Sequence, residues 1–236
     1  MGSVTTPKRR ILVVGANRGI GLNLTHSFAE RDWTVFGSIR PETLDDPSLE
    51  DLKATGATIL PIDFKDEQSI INAANAYGDE ALDVLVNCGG ITDQPSDWLD
   101  NNADMAMEKF QVMAVGPYLT TRYFLPKLKK SPLGKIVNIS SDFGSMTLNT
   151  GNHLTYRMAK AALNAQTVTL AHELRKAGEP VVVVAMNPGF VATKMTNWTF
   201  EDDMDTCIAG LVRNIEGITK EQNGQFFNWD GKQLPW

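Results

Sequence analysis

The sequence predicts a doubly wound α/β fold: a seven-stranded parallel sheet with helices on both faces, in a single domain. Three observations carry that expectation. Short apolar runs alternate with longer helical patterns along the chain, the signature of βαβ units with right-handed crossovers. Runs such as Val181-Val182-Val183-Val184-Ala185 are apolar without alternation, as strands covered on both faces must be. The first apolar run passes into a glycine-rich turn, Gly15-Ala16-Asn17-Arg18-Gly19-Ile20-Gly21, directly before a helical pattern.

In order, the strands are expected at 10–15, 34–39, 58–62, 83–87, 134–140, 181–186 and 224–228. Each is an apolar run bounded by turn residues. Helices are expected near 19–31, 66–77, 102–129, 155–177 and 203–216. Such sheets bind ligands beyond the carboxyl ends of their strands, where the strand order reverses.

Length and composition narrow the rest. The 236 residues fit one domain with a large core. Residues 1–9 are polar and basic and read as a flexible tail, leaving 10–236 as the domain. They lack the apolar segment and cleavage site of a secretory signal. A net charge of -6 gives no reason to expect nucleic acid or an anionic membrane as partner. No apolar run is long enough to span a bilayer. Cys88 and Cys207 stand in unrelated contexts, and His26, His153 and His172 are scattered. A reducing, cytoplasmic setting and no structural metal are the expectations.

The glycines let the chain turn sharply and bring backbone N–H groups to a pyrophosphate at a helix N-terminus. The spacing is Gly-x-x-x-Gly-x-Gly, and no P-loop is present. The second strand ends at Ser38-Ile39-Arg40. An acidic residue there would grip a ribose 2′-hydroxyl. Arg40 instead suits a 2′-phosphate, with Arg18 as a second cation, which favours NADP(H) over NAD(H).

Tyr156 and Lys160 are four apart, on one face of a helix. An ammonium beside a phenol favours the phenolate and is expected to pull its pKa down from about 10. A tyrosine so tuned can trade a proton with a carbonyl or alcohol oxygen. Ser140-Ser141, shortly before, can hold that oxygen.

Together these motifs resemble the short-chain dehydrogenase/reductase family, a Rossmann-type fold, from Leu12 to Trp236. They are the glycine turn, Asp63, Asn87-Cys88-Gly89-Gly90, Ile136–Ser141, Tyr156 with Lys160, and Asn187–Thr193. Tyr156–Asn164 and the ending Gly224–Gly231 are similar to its C-factor/sniffer-like carbonyl-reductase branch. The resemblance implies that Gly15, Asn17, Arg18, Gly19, Ile20 and Arg40 bind the cofactor's phosphates. Asp63 and Phe64 meet its adenine, and Asn87 and Gly89 its adenosine ribose. Pro188, Gly189, Val191 and Thr193 clasp the nicotinamide. Lys160 holds the nicotinamide ribose and tunes Tyr156, the general acid in reduction or base in oxidation. Ser141 matches the catalytic serine better than Ser140.

Three departures stand out. The asparagine usual three residues before Gly116 is Met113, which cannot replace an amide's hydrogen bonds. Ser141 precedes Tyr156 by two residues more than is usual, with the extra length in Thr147–Leu154. Cys88 replaces a second asparagine, as a small apolar residue.

Ile91, Asp142, Phe143, His153, Phe190 and Trp198 are the candidate substrate contacts, with Met195–Asp205 as a lid. Phe143 and Trp198 could equally be packing, His153 an extra acid or merely solvated, and Asp142 a helix cap. Two readings stand. One is an NADPH-dependent reductase of a partly apolar ketone or aldehyde, assembled as a homodimer or homotetramer. The other is an NADP(H)-binding sensor, partner-binding protein or non-redox catalyst such as a cyclase, to which Met113 points.

Overall fold

The structure, a computed structural model, describes residues 8–236. Seven parallel strands form one sheet in the order β3-β2-β1-β4-β5-β6-β7. They are β1 (Arg10–Val14), β2 (Thr34–Ile39), β3 (Thr58–Pro61), β4 (Val84–Asn87), β5 (Gly134–Ile139), β6 (Val181–Asn187) and β7 (Phe226–Asn228). The order reverses between β1 and β4, which pair in register from Ile11↔Val84 to Val14↔Asn87. Both strands therefore end at the same level, and their following loops frame a crevice.

The helices are α1 (Gly19–Ala29), α2 (Ser48–Ala54), α3 (Glu67–Tyr77), α4 (Ala103–Phe110), α5 (Gly116–Leu128), α6 (Leu154–Lys176) and α7 (Met204–Gly217). Two apolar layers sandwich the sheet. One packs Leu12, Leu85, Ile136 and Val183 against Phe124, Leu128 and Ala159. The other packs Ile11, Val86, Val137 and Val184 against Leu24, Phe28 and Leu211. Alternate residues of one strand thus enter opposite layers, which is why these strands are apolar throughout. Lys135, on β5, donates to the Ile215 and Glu216 carbonyls at 3.0 and 2.7 Å, satisfying the C-terminal end of α7.

Two features differ from the expected elements. Helix α2 lies in a stretch with no expected helix, and it braces the glycine turn. Ser48, its first residue, accepts from the Asn17 amide at 2.9 Å. The expected 102–129 helix is interrupted by a π-helical turn over Gln111–Val115. Pro117 has no N–H to give the Met113 carbonyl, so the regular ladder breaks there. The Gln166 side chain bridges the opened turn. With its amide oriented to suit both partners, it donates to the Ala114 carbonyl at 3.0 Å and accepts from the Tyr118 N–H at 3.2 Å.

Of the expected tail, residues 1–7 lie outside the described residues. Lys8 and Arg9 are fastened rather than frayed. Lys8 pairs with Asp32, and Arg9 stacks 4.1 Å over Trp33 and reaches Glu216.

Candidate active site

The crevice at the switch point is a cleft of about 580 Å³. Gly15, Asn17, Arg18, Gly19, Ile20, Arg40, Asp63, Phe64, Gly89, Ile91, Thr193 and Trp198 all line it. The glycine turn hangs from β2: the Gly15 N–H donates to Ser38 Oγ at 2.9 Å and the Ala16 N–H to the Ser38 carbonyl at 2.8 Å. Two glycines are required by contact. Gly15 has φ +86°, and a Cβ there would stand 2.7 Å from Gly89 Cα. A Cβ on Gly21 would stand 2.0 Å from the Gly15 carbonyl oxygen. Backbone thus packs on backbone, and a ligand can meet the bare N–H groups.

Phe64 is a wedge in the far wall. A Cβ on Gly89 would meet its ring at 2.7 Å, and one on Gly116 at 2.4 Å. Asp63 accepts from the Lys65 N–H at 2.9 Å, which fixes its carboxylate at the rim. Arg40 pairs with Glu42 at 3.1 Å and is half exposed.

Several expected cofactor contacts lie elsewhere. Asn87 is buried and does not line the cleft; its amide donates to Asn138 Oδ1 at 2.9 Å. Its own Oδ1 has no partner among the described residues. Pro188, Gly189 and Val191 are also absent from the cleft wall. Gly189 packs inward, where a Cβ would meet Cys207 Sγ, Asp202 Oδ2 and the Trp229 ring within 2.9 Å. The wall from this segment is Ala192–Met195.

The candidate catalytic groups gather behind the Cys88–Ile91 wall. Helix α6 starts from His153, which is left-handed at φ 53°. One turn in, Tyr156 and then Lys160 are buried against the sheet. Lys160 Nζ donates to the Ile139 carbonyl at 2.8 Å and lies 5.7 Å from the Tyr156 ring centroid. Ser140 is buried and donates to Asn164 at 2.6 Å. The Ser141 hydroxyl donates to Asp142 Oδ1 at 2.9 Å and accepts from the Phe143 N–H at 3.2 Å.

The electrostatics reverse the sequence expectation for Tyr156. Burial pushes its phenol well above the usual range; Asp93 and Asp142 push the same way, and only Ser141 opposes them. Lys160 does not offset this, because its ammonium is turned to the Ile139 carbonyl and burial lowers its own pKa to about 8. In the protein alone Tyr156 is a neutral acid.

The low Lys160 value carries a stability consequence. Its pKa falls from 10.5 unfolded to about 8 folded. The folded state then binds fewer protons between those limits, and this group makes stability rise with pH there. Below about 8 the full penalty of the buried ammonium remains. Lys160→Met is therefore expected to raise the cofactor-free unfolding temperature at pH 7 and to flatten its rise toward alkaline pH. Thermal unfolding of both proteins across that range checks this.

Of the substrate candidates, Phe143 and His153 stand around Tyr156. Phe143 meets Tyr156 edge-on at 6.1 Å and His153 at 5.1 Å. Asp142 opens a short helical turn, with Ser141 rather than itself as the cap. Ile91 packs on the same apolar layer as Tyr156. Trp198 stands in the cleft wall while Phe190 does not line it, and both are exposed. In the expected lid region, Met195 bends over Gly90, whose Cβ would lie 3.3 Å from its Cε.

Sequence reading missed three supports. Arg157 is buried, lies 4.1 Å over the Phe143 ring, and donates to the Gly151 and Asn152 carbonyls at 2.9 Å. It thus anchors the long loop before α6. Lys109 is buried and donates to the Gln94 carbonyl and Thr155 Oγ1 at 2.9 and 3.0 Å. Asp93 faces His153, with Oδ2 3.4 Å from Nδ1. Only the adjacency of Arg157 to Tyr156 was a usable signal. Among the described residues, no group of three His, Cys, Asp or Glu could hold a metal, and no helix is long and apolar enough to cross a membrane.

Residues 9–204 match the short chain dehydrogenase family. The chain belongs to that family. It is 34% identical over 157 residues to C-signal of Myxococcus xanthus, covering 66% of this chain and 93% of that protein. Its fold superposes on NADPH-bound carbonyl reductase from chicken fatty liver with TM-score 0.87, at 30% identity, covering 98% of this chain and 100% of that one. The carbonyl reductase Sniffer of Drosophila melanogaster gives TM-score 0.85 at 29% identity, with the same coverage. Within the family the chain sits in the C-factor/sniffer-like branch.

Proposed function

We propose that this chain reduces a ketone or aldehyde of a small, partly apolar molecule to the alcohol, with NADPH as reductant. One observation carries the reading. Buried Lys160 holds its ammonium 5.7 Å from the ring of buried Tyr156, and Tyr156 shares an apolar layer with Ile91, which lines the cleft of about 580 Å³.

The cleft residues fit NADP(H). Gly15 and Gly21 let the turn pack backbone on backbone, and Gly15, Gly19 and Gly21 line the cleft, where their backbone N–H groups would meet a pyrophosphate. Arg18 and Arg40 would hold a 2′-phosphate, and Asp63 and Phe64 the adenine side. When bound, NADPH supplies the hydride. The chain supplies the rest. Tyr156 donates the proton to the substrate oxygen, Ser141 orients that oxygen, and Lys160 grips the ribose beneath. Ile91, Phe143 and His153 form the apolar surround of the reacting carbon.

The deciding measurement is NADPH absorbance during incubation with a panel of ketones, aldehydes and quinones. Oxidation of NADPH is the expected result. A tight NADPH complex that reduces nothing would favour a sensor or non-redox catalyst, the reading Met113 supports.

Arg40→Ala is expected to raise the KM for NADPH about tenfold and leave that for NADH unchanged, since it removes one charge-assisted phosphate contact. Steady-state kinetics with both cofactors checks this. Residues 10–236 act as one NADP(H)-binding domain in this reading, in the cytoplasm. It is a dimer or tetramer, consistent with the exposed Met107, Phe110 and Tyr118 on α4, α5 and their neighbours Leu154 and Met158 on α6; sedimentation checks the assembly.

A further inference from the structure

Four cations line the cleft: Arg18, Arg40, Lys65 and Lys194. Two of them are paired with carboxylates, Arg40 with Glu42 and Lys65 with Glu108, each at 3.1 Å. Arg18 and Lys194 form no ion pair and no side-chain hydrogen bond among the described residues. They come from opposite sides, Arg18 from the glycine turn and Lys194 from the segment after β6.

Those two sides touch between the cations. A Cβ on Gly19, next to Arg18, would stand 3.2 Å from Cγ2 of Thr193, next to Lys194. Two like charges therefore flank one junction. Asp46 does not neutralise them. Its carboxylate is held by the Ser48 N–H at 2.8 Å and pairs with neither cation. Its pKa lies below the usual range, through Ser48 first, with Arg18 and Lys194 adding to it. An anion seated at the junction would meet both cations and relieve their repulsion. The pyrophosphate of a dinucleotide belongs there, at the N-terminus of α1.

Lys194 sits on a loop that is tied at its neck and folded on itself. The Phe190 N–H donates to Asp202 Oδ2 at 2.8 Å, and the Glu201 and Asp202 N–H groups return to the Phe190 carbonyl at 2.9 and 3.1 Å. Inside the loop, the Trp198 N–H donates to the Thr193 carbonyl at 2.9 Å, and Thr196 Oγ1 to the Val191 carbonyl at 3.0 Å. Lys194 and Trp198 are thus parts of one piece, and both line the cleft. What holds Lys194 also places Trp198.

We propose that Lys194 is the lid's own contact with the cofactor. Its ammonium pairs with the pyrophosphate across from Arg18 and latches residues 191–201 over the bound dinucleotide. This goes beyond the reductase reading, because it rests on the NADP(H) cleft alone and needs no turnover. The pyrophosphate is common to NADPH and NADH, so the latch serves both; Arg40 remains the residue that tells them apart.

Lys194 is exposed, so Lys194→Gln removes the charge without disturbing the core. It is expected to weaken NADPH and NADH by the same factor, about fivefold, as befits one charge-assisted contact near the surface. Fluorescence titration reads both. Lys194→Arg should restore most of the loss. Added salt should weaken NADPH binding more in the parent than in Lys194→Gln. Chymotrypsin reads the lid itself, because Phe190, Trp198 and Phe200 are exposed cleavage points. Saturating NADP⁺ should slow cleavage there severalfold in the parent and much less in Lys194→Gln; saturation separates latching from affinity. Unchanged affinity for both cofactors would overturn the proposal. A loss confined to NADPH would move Lys194 to the 2′-phosphate and overturn the pyrophosphate latch. Equal protection of parent and variant at saturation would do the same. A parent that binds and is protected as expected, yet reduces nothing, would sink the reductase reading and leave the latch standing.

Discussion

Tyr156→Phe is expected to lower kcat/KM for carbonyl reduction by roughly 10²–10⁴-fold, the range a positioned general acid contributes. The exchange removes one oxygen and little else. The ring keeps its edge contact with Phe143 and its place in the apolar layer. Ser141 keeps its bond to Asp142, so no buried donor is orphaned. Unfolding in urea should therefore change by less than about 1 kcal/mol. NADPH affinity, carried by the glycine turn and the arginines, should stay within a few-fold. Kinetics, fluorescence titration and urea unfolding on one preparation separate these outcomes. Full turnover without the hydroxyl would remove Tyr156 from the chemistry.

The second large effect belongs to Gly21. An alanine there puts its Cβ 2.0 Å from the Gly15 carbonyl oxygen and 2.9 Å from its carbon. Backbone cannot swing aside as a side chain does, so α1 must shift from the turn. Overpacking of this kind costs about 1–3 kcal/mol. If the shift falls on the arrangement that binds pyrophosphate, affinity for NADPH drops by roughly 5–150-fold. Gly217→Ala is the matched control, because a Cβ there meets nothing within 4 Å. It should leave binding untouched. Titration calorimetry and thermal unfolding of the two variants check the contrast. Equal binding by parent and Gly21→Ala would mean that the turn has slack the geometry denies.

How much was readable in advance varies with the range of the interaction. All seven strands, β3 included, were legible, most of them because a sheet covered on both faces demands unbroken apolar runs, as at Val181–Val184. Helix α2 was not, because seven residues with only Leu49 and Leu52 buried give too short a pattern. The π turn was hidden for another reason. Pro117 marks a break, but the Gln166 amide that repairs it comes from a different helix. The members of the site were legible as residue types in order. Which of them line the cleft was not: Asn87 and Gly189 face inward for packing reasons that depend on Asn138, Cys207 and Trp229.

The linear chain determined what is local or periodic: the layered sheet, the glycine turn, and a tyrosine above a lysine on one helical face. Charge balance around the phenol was decided only in three dimensions. Proximity in sequence set Lys160 beside Tyr156, yet the β5 carbonyl of Ile139 claimed its ammonium. Burial and the carboxylates of Asp93 and Asp142, both from other segments, then raised the phenol rather than lowering it. A pKa sums desolvation and charge over every neighbour in space, and a four-residue spacing reports only one of them.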